Sequence, residues 1–354
     1  MGKPAAIILL YLAIIATSLA LYYSDSLGIR DIPLEDLKAK YEKSHSKYIQ
    51  INETDIHYCD QGQGPVIIAL HGTADSLHTW DGWVKAIGDH YRIVRMDIPG
   101  FGLTGPPADG HYSRDMFVDF VDKFAAALGI NTFIIAGNSL GGAIAWNYAV
   151  RHPEKVEKMV LIDPAGYPME IPWPLKLAGM PVVRNIASLI TPRFIYAISL
   201  KQVFGDPEKV TPELIDRHFE LGLRPGNRKA MTGIMNLLEE HQSDPAFSEG
   251  IARISVPTLL LWGEKDTWIP PSHVELWKRD VPDVKVIIYK GVGHIPQVEI
   301  PEKSAEDVHK WLSASDRKAV KALSGDSDFA IKVIAGILVL ALLLFFVWNK
   351  KTTA

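Results

Sequence analysis

Gly137-Asn138-Ser139-Leu140-Gly141, with Gly142 behind it, sets a serine between glycines at the spacing G-x-S-x-G. A free serine hydroxyl is a poor nucleophile, so acyl-transfer chemistry there needs a base to take its proton and a carboxylate to orient that base. His294 in Gly291-Val292-Gly293-His294 and Asp266 in Trp262-Gly263-Glu264-Lys265-Asp266 each follow an apolar run of strand length, and the chain order serine, acid, histidine is the one such an elbow expects. Asp163, behind Met159-Val160-Leu161-Ile162, is a rival acid, and Glu264 another. The developing oxyanion needs N–H donors. Leu140 offers one, and His71-Gly72-Thr73 offers a second, taken as that of Thr73, with Gly72 permitting close approach. The other eleven histidines show no metal-ligand spacing, so no metal and no organic cofactor is expected; His71 is read as shaping the oxyanion loop, and His152, before Pro153, as ending a helix.

Positioning these residues requires strands that end beside them. Continuous apolar runs of buried-strand length occur at Val66–Leu70, Arg92–Met96, Phe133–Ala136, Met159–Ile162, Thr258–Trp262 and Val284–Tyr289. Helix-length patterns lie between them, as at Asp115–Leu128 and Leu140–Arg151. Strands apolar on both faces and alternating with helices imply an α/β fold with a mostly parallel sheet covered on each side. Tyr48–Ile51 and Ile56–Tyr58 alternate across Asn52-Glu53-Thr54-Asp55 and predict a hairpin. Asn52-Glu53-Thr54 also fits a glycosylation acceptor, but a turn explains it. Ser139 then falls between a strand and a helix, the setting of a nucleophile elbow, where a strained turn exposes the hydroxyl. A glycine-rich turn with an idle serine is the bland alternative.

From 164 to 255 the rhythm breaks, with several prolines and helical patterns at Thr211–Leu221 and Arg228–Glu240, which predicts a helical cap. Its stretch Ile171–Gly205 carries four charges, Lys176, Arg184, Arg193 and Lys201, all basic on an apolar background. A lipid-facing or acyl-binding cap and a plain buried cap core both fit that pattern.

The chain has 354 residues, 47% hydrophobic and 22% charged, with 37 basic against 41 acidic side chains and a net charge of −4. It is long enough for a large core, and the balance lacks the basic footprint of a nucleic-acid binder. One cysteine, Cys59, excludes an internal disulfide and a cysteine metal cluster, and is read as a small buried side chain. Pro4 to Ser24 holds no charge, and at ~1.5 Å per residue its 21 residues cover the ~30 Å hydrocarbon core, which predicts a transmembrane helix. A cleaved signal peptide is the rival reading, with Ala16-Thr17-Ser18 or Ser18-Leu19-Ala20 as the site, but the run is long for one and Tyr22-Tyr23 falls where an interfacial belt would. The uncharged run Val333–Asn349, flanked by Lys332 and Lys350-Lys351, predicts a second span over 331–349; a packed C-terminal helix would need a polar face that the run lacks. Two spans put both termini on one side. The lysines at each end favour the cytoplasmic side, leaving the middle outside the cytoplasm. The expected organisation is a span at 4–24, a linker at 25–47, a core of 48–163 and 256–313, a cap at 164–255, a linker at 314–330 and a span at 331–349.

Residues 48–313 resemble the α/β-hydrolase fold family through His71-Gly72, Asp97-Ile98-Pro99-Gly100-Phe101-Gly102, the elbow at Ser139, Gly263-Glu264-Lys265-Asp266 and Gly293-His294. The resemblance implies Ser139 as nucleophile, His294 as base, Asp266 as acid, Leu140 and Thr73 as oxyanion donors, and a structural Asp97–Gly102 loop. Haloalkane dehalogenases and epoxide hydrolases look similar but carry aspartate at the elbow, against which Ser139 argues. With its apolar ends the chain looks like membrane-bound monoacylglycerol lipases and phospholipase A enzymes, although those are usually anchored at the N-terminus only. The elbow also resembles that of carbon–carbon hydrolases of ring-cleavage products, which are soluble, and cofactor-free perhydrolases share the triad. A non-catalytic scaffold on this fold would be expected to lose the serine, histidine or acid, and none is missing. The expectation is a membrane-anchored serine carboxylester hydrolase of lipid esters, its partners a lipid or small ester and the bilayer, with activity falling below about pH 6 as a histidine base protonates.

Overall fold

A computed structural model of the chain describes residues 24–169, 189–243 and 246–314, together with residues 11, 14, 18 and 180. Apart from those isolated positions and Ser24, the predicted spans 4–24 and 331–349 lie outside the described residues, as does most of 171–188. Among the described residues no helix is long and apolar enough to cross a membrane. The chain divides into two compact units, Met1–Ala305 and Glu306–Ala354, and the sheet belongs wholly to the first.

Eight strands form one sheet in the order β1-β2-β4-β3-β5-β6-β7-β8. They are β1 (Ser46–Ile51), β2 (Thr54–Gln61), β3 (Val66–Leu70), β4 (Arg92–Met96), β5 (Phe133–Asn138), β6 (Val156–Ile162), β7 (Thr258–Gly263) and β8 (Lys285–Tyr289). β2 is antiparallel to β1 and β4, and every other pairing is parallel. Ile67, Ile68, Ile93, Val94, Ile135, Leu161 and Leu260 are fully buried, as continuous apolar strands covered on both faces require. The hairpin turn is shorter than the four residues expected. Ile51 pairs with Thr54, so Thr54 and Asp55 belong to β2, and Asn52 and Glu53 reverse the chain alone with φ of +48° and +62°.

The helices that matter to the site are α1 (Leu34–Tyr41), α2 (Arg114–Ala127), α3 (Leu140–Arg151), α4 (Arg193–Val203), α5 (Pro212–Gly222), α6 (Asn227–Ser243), α7 (His273–Asp280) and α8 (Pro296–Glu299). α4, α5 and α6 lie between β6 and β7, where no strand occurs among the described residues. α5 starts where the sequence signals a cap, with the Thr211 hydroxyl accepting from Leu214 N–H at 3.2 Å and Pro212 in the first turn. His152 follows α3 directly, as expected. Cys59 is fully buried in β2. Register aligns the strand ends: Leu70 faces Gly137, Asn138 faces Ile162, Ile162 faces Leu261 and Gly263 faces Tyr289. The loops carrying His71, Ser139, Asp163, Asp266 and His294 therefore leave one carboxyl edge of the sheet, where open α/β sheets build their sites.

Candidate active site

Ser139 occupies the turn between β5 and α3 with φ of +54°, a left-handed conformation disfavoured for a residue with a side chain. Its N–H donates to Ile162 O at 3.1 Å, and its carbonyl accepts from Ala143 N–H at 3.0 Å and Ala165 N–H at 3.2 Å. The flanking glycines are there because backbone crosses backbone: a Cβ on Gly141 would stand 2.2 Å from Leu70 O, and one on Gly137 2.2 Å from Gly141 O. Asn138 then ties three strand ends together, its amide donating to Ile162 O at 3.1 Å and to His294 O at 3.0 Å.

His294 and Asp266 meet as the sequence predicts. His294 Nδ1 lies 2.7 Å from Asp266 Oδ2, while Asp266 Oδ1 accepts from Trp268 N–H at 2.7 Å and Ile269 N–H at 3.0 Å. Two backbone N–H groups already donate to the Asp266 carboxyl, an acceptor site that suits an imidazole donating from Nδ1 and leaves Nε2 as an acceptor. The imidazole bonds Asp266 and not Asp163, although both carboxyls are close. Trp268 stacks on His294 with ring centroids 6.0 Å apart. Glu264 takes another role, accepting from Gly291 N–H at 3.0 Å. Ser139, His294, Gly72 and Thr73 line one cleft, with Asn138, Ala74, Asp75, His218 and Trp268. Its far wall is Tyr196, Ser199, Leu200 and Val203 of α4, and it holds about 520 Å³ counted to the open mouth. Among the described residues no hydrogen bond joins Ser139 Oγ to His294.

His71 braces the loop after β3 as expected. Its Nε2 accepts from Ile98 N–H at 2.9 Å, so Nδ1 carries the proton and donates to Gly72 O at 2.7 Å. The Asp97–Gly102 loop behind it is structural. Buried Asp97 accepts from Leu77 N–H, Leu103 N–H and His57 Nδ1, each at 2.7 Å. Burial pushes the Asp97 pKa up, but His57, with His71 and His78 behind it, holds it well below the usual carboxylate range. Leu140 follows Ser139 with its N–H at the start of α3, and its side chain lines a second pocket with Phe117, Ile144, Met169, Leu237 and Phe247, mostly apolar but with Arg114 and Asn147 also in its lining.

Three site residues were not apparent from sequence. His218 of α5 reaches the cleft, its Nδ1 2.9 Å from Ala74 O and its Nε2 3.5 Å from Asp75; burial lowers its pKa. Asn138 is visible only as the variable position of the elbow. Glu299 of α8 is buried and accepts from Gly205 N–H (2.9 Å), Asp206 N–H (2.9 Å) and Gly293 N–H (2.8 Å), holding the cap to the His294 loop. Ligand atoms of Asp163, Asp266 and His294 lie within 4.8 Å of one another, a spacing a cation could use. Those of Asp266 and His294 are already committed to each other and to backbone N–H groups, so the donor set fits a hydrogen-bonded triad better than a metal.

A family model described as "alpha/beta hydrolase fold" matches residues 65–301. Curated relatives include the 2-hydroxymuconate semialdehyde hydrolase of Pseudomonas sp. strain CF600, 26% identical over 75% of this chain and 93% of its own. Another is the 2-hydroxy-6-oxo-6-(2'-aminophenyl)hexa-2,4-dienoic acid hydrolase of Metapseudomonas resinovorans, 29% identical over 77% and 93%. Among solved structures, a bacterial membrane phospholipase A superposes with a TM-score of 0.64 at 26% identity, covering 88% of this chain and 99% of its own. A meta-cleavage product hydrolase from Pseudomonas fluorescens IP01 superposes with a TM-score of 0.68 at 26% identity, covering 76% and 98%. The sheet order, the elbow and the matched span agree: the chain belongs to the α/β-hydrolase fold family, and it is a hydrolase.

Proposed function

We propose that this hydrolase cleaves carboxylic esters of membrane lipids through a covalent acyl-enzyme on Ser139. The observation that carries the reading is the charge-assisted His294–Asp266 pair, 2.7 Å apart, in the same cleft as a serine on a strained elbow. Ser139 Oγ attacks the ester carbonyl as His294 Nε2 takes its proton, and the imidazolium is stabilised by Asp266. The cleft leaves the imidazole to close on the hydroxyl when substrate enters, a tightening usual for catalytic hydrogen bonds. The N–H groups of Leu140 and Thr73 receive the oxyanion, each worth ~10²–10³ in rate. His294 returns its proton to the leaving alcohol, and water then hydrolyses the acyl-enzyme.

A lipid ester is favoured over a small acid by the apolar side chains of the walls, Tyr196, Leu200 and Val203 on one side of the elbow and the residues beyond Leu140 on the other. The likeness to the membrane phospholipase A also spans 88% of the chain, against 76% for the meta-cleavage product hydrolase. In this reading 4–24 and 331–349 are the anchors, 25–47 and 314–330 linkers, 164–255 the cap over a core of 48–163 and 256–313, and the core faces away from the cytoplasm. The names of the curated relatives support a second reading, hydrolysis of a carbon–carbon bond in a 2-hydroxy-6-oxo-dienoate by the same triad.

The test compares full-length protein with Ser139→Ala on monoacylglycerol, lysophospholipid, diacyl phospholipid and a 2-hydroxy-6-oxo-dienoate. Fatty-acid release that falls by ~10⁶ in the variant is the expected result, since triad removal can cost that much. Turnover of the dienoate alone would replace the ester reading with the second one.

A further inference from the structure

Asp163 has no part in the mechanism above, yet the fold holds it in an unfavourable way. It is fully buried at the end of β6, with φ of +43°. Its Oδ1 accepts from Gly263 N–H at 2.9 Å, and among the described residues Oδ2 has no hydrogen-bond partner. A non-glycine residue in the left-handed region and an unsatisfied buried oxygen are each disfavoured, and strain of this kind gathers at functional sites.

Ligand atoms of Asp163, Asp266 and His294 lie within 4.8 Å of one another, so two carboxyl groups flank one imidazole. Two carboxyls sharing a dry site do not both ionise. The oxygens of Asp266 are already engaged by Trp268 N–H, Ile269 N–H and the His294 imidazole. Asp163 keeps a proton: burial first and Asp266 next push its pKa well above the usual range, the Asp266 carboxyl also standing close enough to share that proton, with Glu299 of α8 adding to the rise and Gly263 N–H opposing it. The titratable groups facing it are thus Asp266 and His294 from the loops after β7 and β8, and Glu299.

We propose that Asp163 is a reserve orienting acid for His294, a carboxyl that takes over the Nδ1–H hydrogen bond when the Asp266 carboxylate is lost. This rests on reading His294 as the base. When Asp266 becomes a neutral amide, the repulsion that kept Asp163 protonated is gone. Asp163 then releases its proton to solvent and accepts from His294 Nδ1, so the imidazole keeps its tautomer and a negative partner. It is a positioning residue, since it acts on the substrate only through the imidazole.

The test uses full-length protein, a soluble p-nitrophenyl ester, and fluorophosphonate labelling of Ser139 as a readout that needs no lipid. Removing the only carboxylate of a triad costs about 10⁴ in rate. Asp266→Asn is expected to lose only about 10- to 100-fold in kcat/KM and in labelling rate, and adding Asp163→Asn to lose at least a further 100-fold. In Asp266→Asn the acid limb of the pH profile should move up by a unit or more, because a buried carboxyl must ionise first, and the double variant should lack that limb. Equal activity in the single and double variants, both folded, overturns the proposal. If the double variant does not fold, an unmoved acid limb in Asp266→Asn overturns it alone. A wild-type protein that is not labelled at Ser139 sinks the serine-hydrolase reading and this proposal with it, whereas a labelled wild type with equal variants sinks only the reserve acid.

Discussion

The oxyanion side of the elbow has no slack. A Cβ on Gly72 would stand 2.9 Å from Asn138 Oδ1 and 3.3 Å from Ser139 Cβ. Asn138 cannot swing aside cheaply, because its amide is held by Ile162 O and His294 O. Gly72→Ala should therefore displace either the Thr73 N–H or Ser139, both of which act in the transition state of the proposed mechanism. A misplacement of this kind predicts a 10- to 100-fold fall in kcat with little change in KM, or ~1.4–2.8 kcal/mol of barrier. Stopped-flow turnover of a soluble ester checks it, with urea unfolding to show that stability is kept. A variant with wild-type kcat would mean that the loop after β3 does not supply an oxyanion donor.

At the scale of elements, the cap and the histidine loop share one anchor. Glu299 takes N–H groups from Gly205 and Asp206 behind α4 and from Gly293 before His294, and His294 N–H donates to Val203 O at 2.7 Å. Glu299→Gln replaces one acceptor oxygen by an NH₂ that faces N–H donors. Charge-assisted bonds of this type contribute roughly 1.5–3 kcal/mol, so a loss of about 2 kcal/mol in urea unfolding is expected, with kcat down about tenfold. Unchanged kcat at reduced stability would separate the anchor from catalysis. Such a tie is illegible in sequence, because Glu299 meets residues about 90 positions away, and no local pattern marks a carboxylate that serves backbone. The strands show the converse. β3 and β4 are readable to the residue: β3 is wholly apolar, and β4 is apolar apart from Arg92 at its start and the buried Arg95, which is held by Leu77 O, Asp81 and Gln61. β5 runs on through Gly137 and Asn138, and β6 starts early at Val156-Glu157-Lys158, where small or polar residues break the apolar run but the ladder continues. Ser139, Asp266 and His294 were legible because each lies a few residues past the end of such a run. Asp163 was legible as a carboxyl at a strand end, but only the fold shows that it lies beside Asp266 and His294.

At the scale of the whole molecule, α4 has two apolar faces, and among the described residues only one of them is covered. Tyr196, Ser199, Leu200 and Val203 look into the cleft, while Phe194 and Ile198, one turn apart, are 56% and 38% exposed on the opposite side. Leu189 and Ile190, just before the helix, are 66% and 38% exposed, and Lys201 lies open at its end. The uncharged run Pro4–Ser24 ends against this region: helix Ser24–Leu27 packs beside α4, and Arg228 joins Gly28 O to Leu189 O at 2.6 and 2.7 Å. If that run is an anchor, the exposed face lies where the chain leaves the bilayer, with basic charge suited to anionic headgroups. A lipid could then pass along α4 into the cleft without crossing water. Phe194→Asp with Ile198→Asp should cut hydrolysis of lipid held in phosphatidylglycerol-containing vesicles at least tenfold and leave a soluble ester within twofold. Equal loss on both substrates would make the face a packing surface of the cap. No loss on either would mean that substrate reaches Ser139 by another route, since a charged pair on the entry path has to repel an acyl chain.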